Sequence, residues 1–332
     1  MKNILLITTG GTIASKPTID GFMPKINSKE LLSYLDDLSN VCNIDTIELF
    51  NFDSTNINYV HWLKMVETIK ENYYKYDGFV ITHGTDTMAF TASALSYLIQ
   101  NSIKPIVLTG SQKSIFMKDS DARSNLFDAF IYASHPTGHG VTIVFDGKVI
   151  LGTRAKKNRT KSYNAFTSIN YPAIANIQDG KVIEYIEVNV DIDKGVKFYD
   201  SMNPKVFVLK LIPGMSLDIF DYVSEHYDAC IIESFGVGGI PMYDEQQFSD
   251  ALERFILSNK TLIITTQVPY EGSNLGLYKV GKKIKDKYEV LEAYDMTLES
   301  LVCKVMWVLG QTNDKNLIKK LLYTKINNDI NL

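Results

Sequence analysis

Hydrophobic positions along the chain follow two rhythms. Short unbroken apolar runs, such as Ile4-Leu5-Leu6-Ile7, Phe79-Val80-Ile81 and Ile106-Val107-Leu108, read as strands covered on both faces of a sheet. Between them lie longer stretches of helical character at residues 58–73, 88–100 and 121–133. Leu31, Leu32, Leu35 and Leu38 mark one face of a further helix that Ser28 caps, with Glu30 in its first turn. Residues 44–52 add a strand, 141–151 a hairpin around Asp146-Gly147, and 183–190 a last strand. Residues 15–27, with Pro17, Gly21 and Pro24, show little periodicity and read as a mobile loop beside Thr12.

The alternation of strand, polar turn and helix predicts an α/β fold, a mostly parallel sheet with helices on both faces. Residues 191–204 are charged and aperiodic and divide a larger N-terminal domain, 1–190, from a smaller C-terminal α/β domain, 205–332. The latter has strands at 206–211, 229–233 and 261–266, with helices at 216–225 and 244–257. Two helices, 297–309 and 313–323, close the chain.

In a parallel sheet the turns after the strands share one edge, where such folds hold ligands. Three of these turns are rich in hydroxyls or carboxylates: Gly10-Gly11-Thr12, Asp53-Ser54-Thr55-Asn56 and His83-Gly84-Thr85-Asp86-Thr87. Two glycines let backbone come close to a neighbour and permit turns that a Cβ resists. Thr12 behind them fits a nucleophile, a ligand clamp or a plain turn hydroxyl. A hydroxyl nucleophile needs a base, and a lysine serves if burial and neighbouring cations lower its pKa. The crowded cations Arg154, Lys156, Lys157, Arg159 and Lys161 have that composition, although such a run also fits a solvated face.

Other chemistries lack support. The Gly-Gly turn has no G-x-G-x-x-G spacing, so it is not a dinucleotide fingerprint. No motif ties His83 to a serine, and Pro136 and Gly138 break any helical metal face between His135 and His139. His61 and His226 read as helix residues with structural or surface roles. No metal site and no cofactor are indicated.

A length of 332 residues suffices for two domains. Lys and Arg total 34 against 38 Asp and Glu, and the net charge of −4 argues against a nucleic-acid binder. No stretch approaches the ~18–20 apolar residues of a membrane span. The apolar run after Met1-Lys2-Asn3 is too short for a signal peptide. Cys42, Cys230 and Cys303 are well separated, and their odd number suits a reducing compartment. The expectation is a soluble cytoplasmic protein.

Taken together, these motifs resemble the bacterial L-asparaginase family, in particular its cytoplasmic type I branch. Thr9-Gly10-Gly11-Thr12-Ile13-Ala14 is similar to the family's first signature, and residues 77–89, from Asp77-Gly78 to Met88-Ala89, are similar to its second. Thr109-Gly110-Ser111-Gln112, Lys157 and Gly236-Val237-Gly238 match as well, so the resemblance covers nearly the whole chain. It implies amide hydrolysis of L-asparagine through an acyl-enzyme, with Thr12 as nucleophile. Thr85 is then the second catalytic threonine, tuned by Lys157. Asp86 holds the substrate's α-ammonium, and Ser54, with Thr55 beside it, takes the α-carboxylate. Backbone N–H groups near Thr12 and Thr85 are candidates for oxyanion stabilisation. The resemblance also implies a homotetramer, a dimer of dimers.

Two positions depart from the family's pattern. Phe22 stands where the lid loop normally carries a tyrosine, and a phenyl ring covers a pocket but relays no proton. Gly239 stands where cytoplasmic relatives often carry an asparagine after Gly-x-Gly. Two other readings compete with an asparaginase of weak glutaminase activity. One is a catalytically weak asparagine or aspartate sensor, favoured by Phe22 alone. The other is the amidase subunit of a tRNA-dependent amidotransferase, which shares both signatures but normally has an extra domain before the strand that here starts at residue 4.

Overall fold

The computed structural model describes residues 1–331 except 20, 36–37, 188–191, 242–244, 278–281, 283–284, 286–287 and 289, and likewise their side chains apart from those of residues 22, 24, 192 and 245–249. The chain divides into two compact units, Met1–Asp200 and Ser201–Leu332.

The first unit is built on an eight-stranded sheet. Its parallel part comprises β1 (Lys2–Gly10), β4 (Cys42–Phe52), β5 (Gly78–Thr82), β7 (Pro105–Thr109) and β8 (Gly140–Phe145), side by side in the order β8-β7-β5-β1-β4. β1 lies between β4 and β5 and buries every residue from Ile4 to Gly10. Its unbroken apolar run is the sequence of such a strand, each buried Ile or Leu contributing about 1.5–3 kcal/mol over exposure. β4 is the edge strand, and after Cys42 none of its residues is fully buried. Beyond β8 the sheet turns antiparallel through β9 (Lys148–Leu151), β12 (Ala175–Gln178) and β13 (Lys181–Glu184). The hairpin around Asp146-Gly147 joins β8 to β9, with positive φ at both turn residues.

Helices α2 (Tyr59–Asn72), α3 (Met88–Leu98) and α4 (Ala122–Ala133) follow the strands as the alternation predicts. Asn58 caps α2, and His61 closes the capping box through Nδ1, which accepts the Asn58 N–H. In α3 every residue except Phe90 is buried, so its sequence shows little amphipathicity.

Four expectations need correction. Within the loop expected at 15–27, residues 15–18 and 21–24 are antiparallel strands, β2 (Ser15–Thr18) paired with β3 (Gly21–Pro24). Its prolines, which read as breakers, occupy a two-stranded ribbon where few backbone donors are needed. The helix after it, α1 (Ser28–Leu32), is a short one capped by Asn27, whose side chain accepts the Glu30 N–H at 2.8 Å. Ser28 instead bonds Glu48 and Thr46 of β4, and Leu38 lies in a separate 3-10 turn, so one leucine face does not mark one helix. α3 stops at Leu98, because Ile99–Gln100 form a short strand, β6, that pairs with β14 (Lys197–Phe198). The strand expected at 183–190 is β13 and ends at Glu184; residues 188–190 lie outside the described residues.

The second unit holds a parallel sheet of four strands, β15 (Val206–Lys210), β16 (Ala229–Ser234), β17 (Thr261–Thr266) and β18 (Leu291–Glu292). α5 (Ile219–His226) and α6 (Glu245–Leu257) pack with them around Phe220, Leu252, Phe255 and Ile264. Of the closing helices α7 (Leu298–Gln311) and α8 (Lys315–Tyr323), the former carries Lys304, which forms a fully buried ion pair with Asp329 at 2.5 Å. Cys42, Cys230 and Cys303 are buried and form no disulfide with one another. Among the described residues no helix is long and apolar enough to cross a membrane.

Candidate active site

The Gly-Gly pair is required on two counts. Gly10 and Gly11 both have positive φ, 93° and 79°. A Cβ on Gly10 would lie 2.6 Å from the Phe52 nitrogen, and one on Gly11 would lie 2.4 Å from the Gly84 nitrogen. The end of β1 is thus wedged between the ends of β4 and β5. Thr12, half-buried, opens the 3-10 turn Thr12–Ala14 that follows.

Ser54 belongs to the same cluster. It starts a 3-10 turn after β4, and Asp53 caps that turn by accepting the Thr55 N–H at 2.9 Å. Ser54 is buried while Thr55 is exposed. A Cβ on Gly84 would lie 2.7 Å from the Ser54 hydroxyl, so Gly84 is bare for Ser54 as Gly11 is bare for Gly84. Thr87 ties the two turns by donating to the Ser54 carbonyl at 2.8 Å.

Thr85 and Asp86 follow β5 on the next turn, one buried and one exposed. Lys157 reaches both: Nζ donates to Thr85 Oγ1 at 2.7 Å and pairs with Asp86 Oδ1 at 2.6 Å. The lysine side chain is 14% exposed and the aspartate 58%, so the pair sits at the mouth of the cluster with its cation inward. Lys157 ends β10 (Ala155–Lys157), which pairs antiparallel with β11 (Phe166–Ser168). Lys157 therefore reaches in to the Thr85 turn, whereas Arg159 and Lys161 on the next loop are exposed.

His83, buried behind the turn, has a settled role. Its Nδ1 lies 2.7 Å from the Gly84 carbonyl, which only accepts, so Nδ1 carries the proton. Nε2 then accepts from the Thr91 hydroxyl at 2.9 Å, and Trp62 Nε1 donates to that hydroxyl at 2.9 Å. Burial holds the imidazole neutral and pushes its pKa down to about 4, the Gly84 bond opposing that shift. It anchors the turn.

Thr12, Ser54, Thr85, Asp86 and Lys157 therefore gather around Gly84 at the C-terminal edge of the parallel strands. Phe22 lies in β3 opposite Pro17; its side chain is outside the described residues. Two neighbours carry no role in the sequence reading. Gln112, in the turn after β7, meets Thr85 at 3.4 Å through its side-chain oxygen, and Asp121 accepts the Gln112 N–H through both carboxylate oxygens. The sequence holds a signal for Gln112, a fourth polar turn on the same sheet edge. Among the described residues no group of three or more His, Cys, Asp or Glu side chains is arranged to hold a metal.

The chain matches the family model described as Asparaginase, N-terminal over residues 3–189, and the model described as Glutaminase/Asparaginase C-terminal domain over residues 205–322. It is similar to an L-asparaginase of Thermococcus kodakarensis, 36% identical over 333 residues that cover 98% of both chains. It is also 33% identical to a glutamyl-tRNA(Gln) amidotransferase subunit of Pyrococcus furiosus, over 99% of this chain and 77% of that one. Among solved structures, the thermostable L-asparaginase from Thermococcus kodakarensis matches with a TM-score of 0.92 and 34% identity over 99% of both chains. With both halves matched and the likeness running over the full chain, the protein belongs to the asparaginase family, hydrolases that act on amide bonds.

Proposed function

We propose that the protein hydrolyses L-asparagine to L-aspartate and ammonia through a threonine acyl-enzyme. The observation that carries this reading is the contact of Lys157 with both Thr85 and Asp86 beside the Gly10-Gly11-Thr12 turn. Thr12 Oγ attacks the side-chain amide carbon, forming an ester as the C–N bond breaks, and its proton leaves with ammonia. Water then cleaves the ester and regenerates Thr12. Thr85, held by Lys157, orients the amide and then the water. Asp86 accepts the α-ammonium in a charge-assisted bond, and Ser54 with Thr55 receives the α-carboxylate. Backbone N–H groups of the glycine turns stabilise the developing oxyanion.

Glutamine places its amide one methylene further out, enough to misplace the reacting carbon, so glutaminase activity is weak. The working form is a cytoplasmic homotetramer built from dimers, and the reaction needs no cofactor. The amidotransferase reading has one observation in its favour, the likeness of the whole chain to an amidotransferase polypeptide.

Ammonia release from L-asparagine and L-glutamine, measured without tRNA for the wild type and Thr12→Ala, tests the proposal. Rapid release from asparagine that disappears with Thr12→Ala supports it. Silence towards free asparagine, with asparagine or aspartate still raising Tm, supports a sensor; activity only with a charged tRNA and a second polypeptide supports an amidotransferase.

A further inference from the structure

Gln112 stands in a turn that is built to hold it still. The Asp121 carboxylate, 6% exposed, accepts the Gln112 N–H at 2.9 and 3.1 Å and the Lys113 N–H at 3.0 Å. Asn125, one helical turn on, donates to the same carboxylate at 3.2 Å and to the Gly110 carbonyl at 3.0 Å. A buried carboxylate is costly unless its lone pairs are filled, and here backbone amides fill them. The turn Gly110–Lys113 is thereby fixed to the start of α4.

From this fixed base the Gln112 side chain spans two elements. Its Nε2 donates to the carbonyls of Ser162 at 3.1 Å and Arg159 at 3.4 Å, on the loop that follows Lys157. Both partners are carbonyls, which accept only, so the amide nitrogen faces the loop and Oε1 faces Thr85. Thr85 must then be the donor in its 3.4 Å contact with Oε1, and its oxygen accepts from Lys157 Nζ. The chain of donors runs one way: Lys157 to Thr85 to Gln112. At 3.4 Å the last link is long for a hydroxyl bond, so it biases the proton without locking it.

We infer that Gln112 is a positioning residue that sets the direction of the Thr85 hydroxyl proton and, by its grip on residues 159–162, keeps Lys157 on the other side of that hydroxyl. The inference rests on the proposed roles of Thr85 and Lys157. With the hydroxyl proton turned to Gln112, the Thr85 oxygen presents a lone pair to Lys157 and to whatever enters the pocket. Lys157, paired with Asp86, only donates while it is an ammonium. Once it has given up a proton and Oε1 is gone, the Thr85 proton is free to turn to the neutral amine, and the two groups no longer act in a fixed order.

The test compares wild type, Gln112→Met and Gln112→Glu by steady-state kinetics on L-asparagine across pH, with Tm as a check on folding. Methionine keeps the length of the side chain and removes both hydrogen-bonding groups. It should lower kcat about tenfold with KM within about twofold, and move the lower limb of the kcat–pH profile to lower pH, because the Thr85 proton then competes for the amine. Glutamate keeps an acceptor towards Thr85 and adds a negative charge that favours the ammonium, so it should move the same limb to higher pH. Opposite displacements of one limb are the signature; side-chain packing alone would lower Tm and leave the limb where it is. Limbs that coincide in all three proteins, or that move the same way in both variants, overturn the inference. So does a failure of both variants to fold, since Gln112 would then be holding the turn. A wild type that releases no ammonia from asparagine is a different result and removes the proposed function instead.

Discussion

Gly11 and Gly84 meet backbone against backbone, so closely that a Cβ on Gly11 would lie 2.4 Å from the Gly84 nitrogen and 2.5 Å from its Cα. This approach joins the turn carrying Thr12 to the turn carrying Thr85 and Asp86. It comes from two strands, β1 and β5, that run parallel in direct register from Ile4 opposite Gly78 to Thr8 opposite Thr82.

Gly11→Ala should therefore be among the most damaging small changes in the chain. Steric overlap with fixed backbone and a φ of 79° act together, and a loss on the order of 3 kcal/mol is expected. Gly21→Ala is the control: φ is 111° but nothing lies within 4 Å, so only backbone strain of about 1 kcal/mol applies. Denaturant unfolding of both variants, with ammonia release, checks the difference. Equal losses would mean that strain, not close approach, explains the Gly-Gly pair.

Lys157→Met and Asp86→Asn should separate catalysis from binding. Lys157 donates to Thr85 Oγ1, so its loss should lower kcat about a hundredfold or more. Asp86→Asn removes the charge proposed for the substrate's ammonium and should act mainly on KM. Steady-state kinetics on asparagine give both numbers; a Lys157→Met enzyme with wild-type kcat removes the lysine from the mechanism.

His83 makes the fold sensitive to acid. Its folded pKa of about 4 lies below the ordinary 6.5, so between those values the unfolded chain binds a proton that the folded chain refuses. The contribution is fully present above about pH 6.5 and is lost as pH falls towards 4, on the order of 3 kcal/mol in all. His83→Gln should be less stable at pH 7, with a flatter dependence over that window. Chemical denaturation at pH 7, 5.5 and 4.5 gives the slopes, and parallel slopes for the two proteins would assign the acid sensitivity elsewhere.

The ion pair of Lys304 and Asp329 has both side chains at 0% exposure. Asp329→Ala strands a buried ammonium and should cost about 3–5 kcal/mol. Replacing the pair together, Lys304→Met with Asp329→Leu, should recover most of that loss. Thermal unfolding of the single and double variants decides it.

Phe22→Tyr should raise turnover if a phenol in the lid assists Thr12. An unchanged or lower kcat would mean that the threonine is activated through water or Lys157.

The strands of the parallel sheet are legible in the sequence because each is buried on both faces and reads as an apolar run; β1 needs no more than Ile4 to Ile7. The β2–β3 hairpin is not, since its pairing depends on a ribbon that tolerates Pro17 and Pro24, which nothing local announces. Thr12, Ser54, Thr85 and Asp86 are visible as polar turns behind strands. Lys157 is visible as one cation among five, and only the family resemblance singles it out. Asp121 reads merely as the start of a helix because its partners are backbone N–H groups, which leave no mark in side-chain chemistry.

The reach of Lys157 to Thr85 spans 72 positions of sequence and depends on β10 pairing with β11, the latter ending at Ser168. During synthesis β1, β4, β5 and β7 emerge well before that ribbon does. A nascent chain thus holds the glycine turns behind β1 and β5 while the ammonium is still absent, whereas β12 and β13 of the same sheet follow the ribbon. Long-range pairing of this kind is slow compared with local structure. Chemical competence is accordingly a later event than the joining of β1 to β5, acquired with the outer, antiparallel part of the unit and not with its central strands.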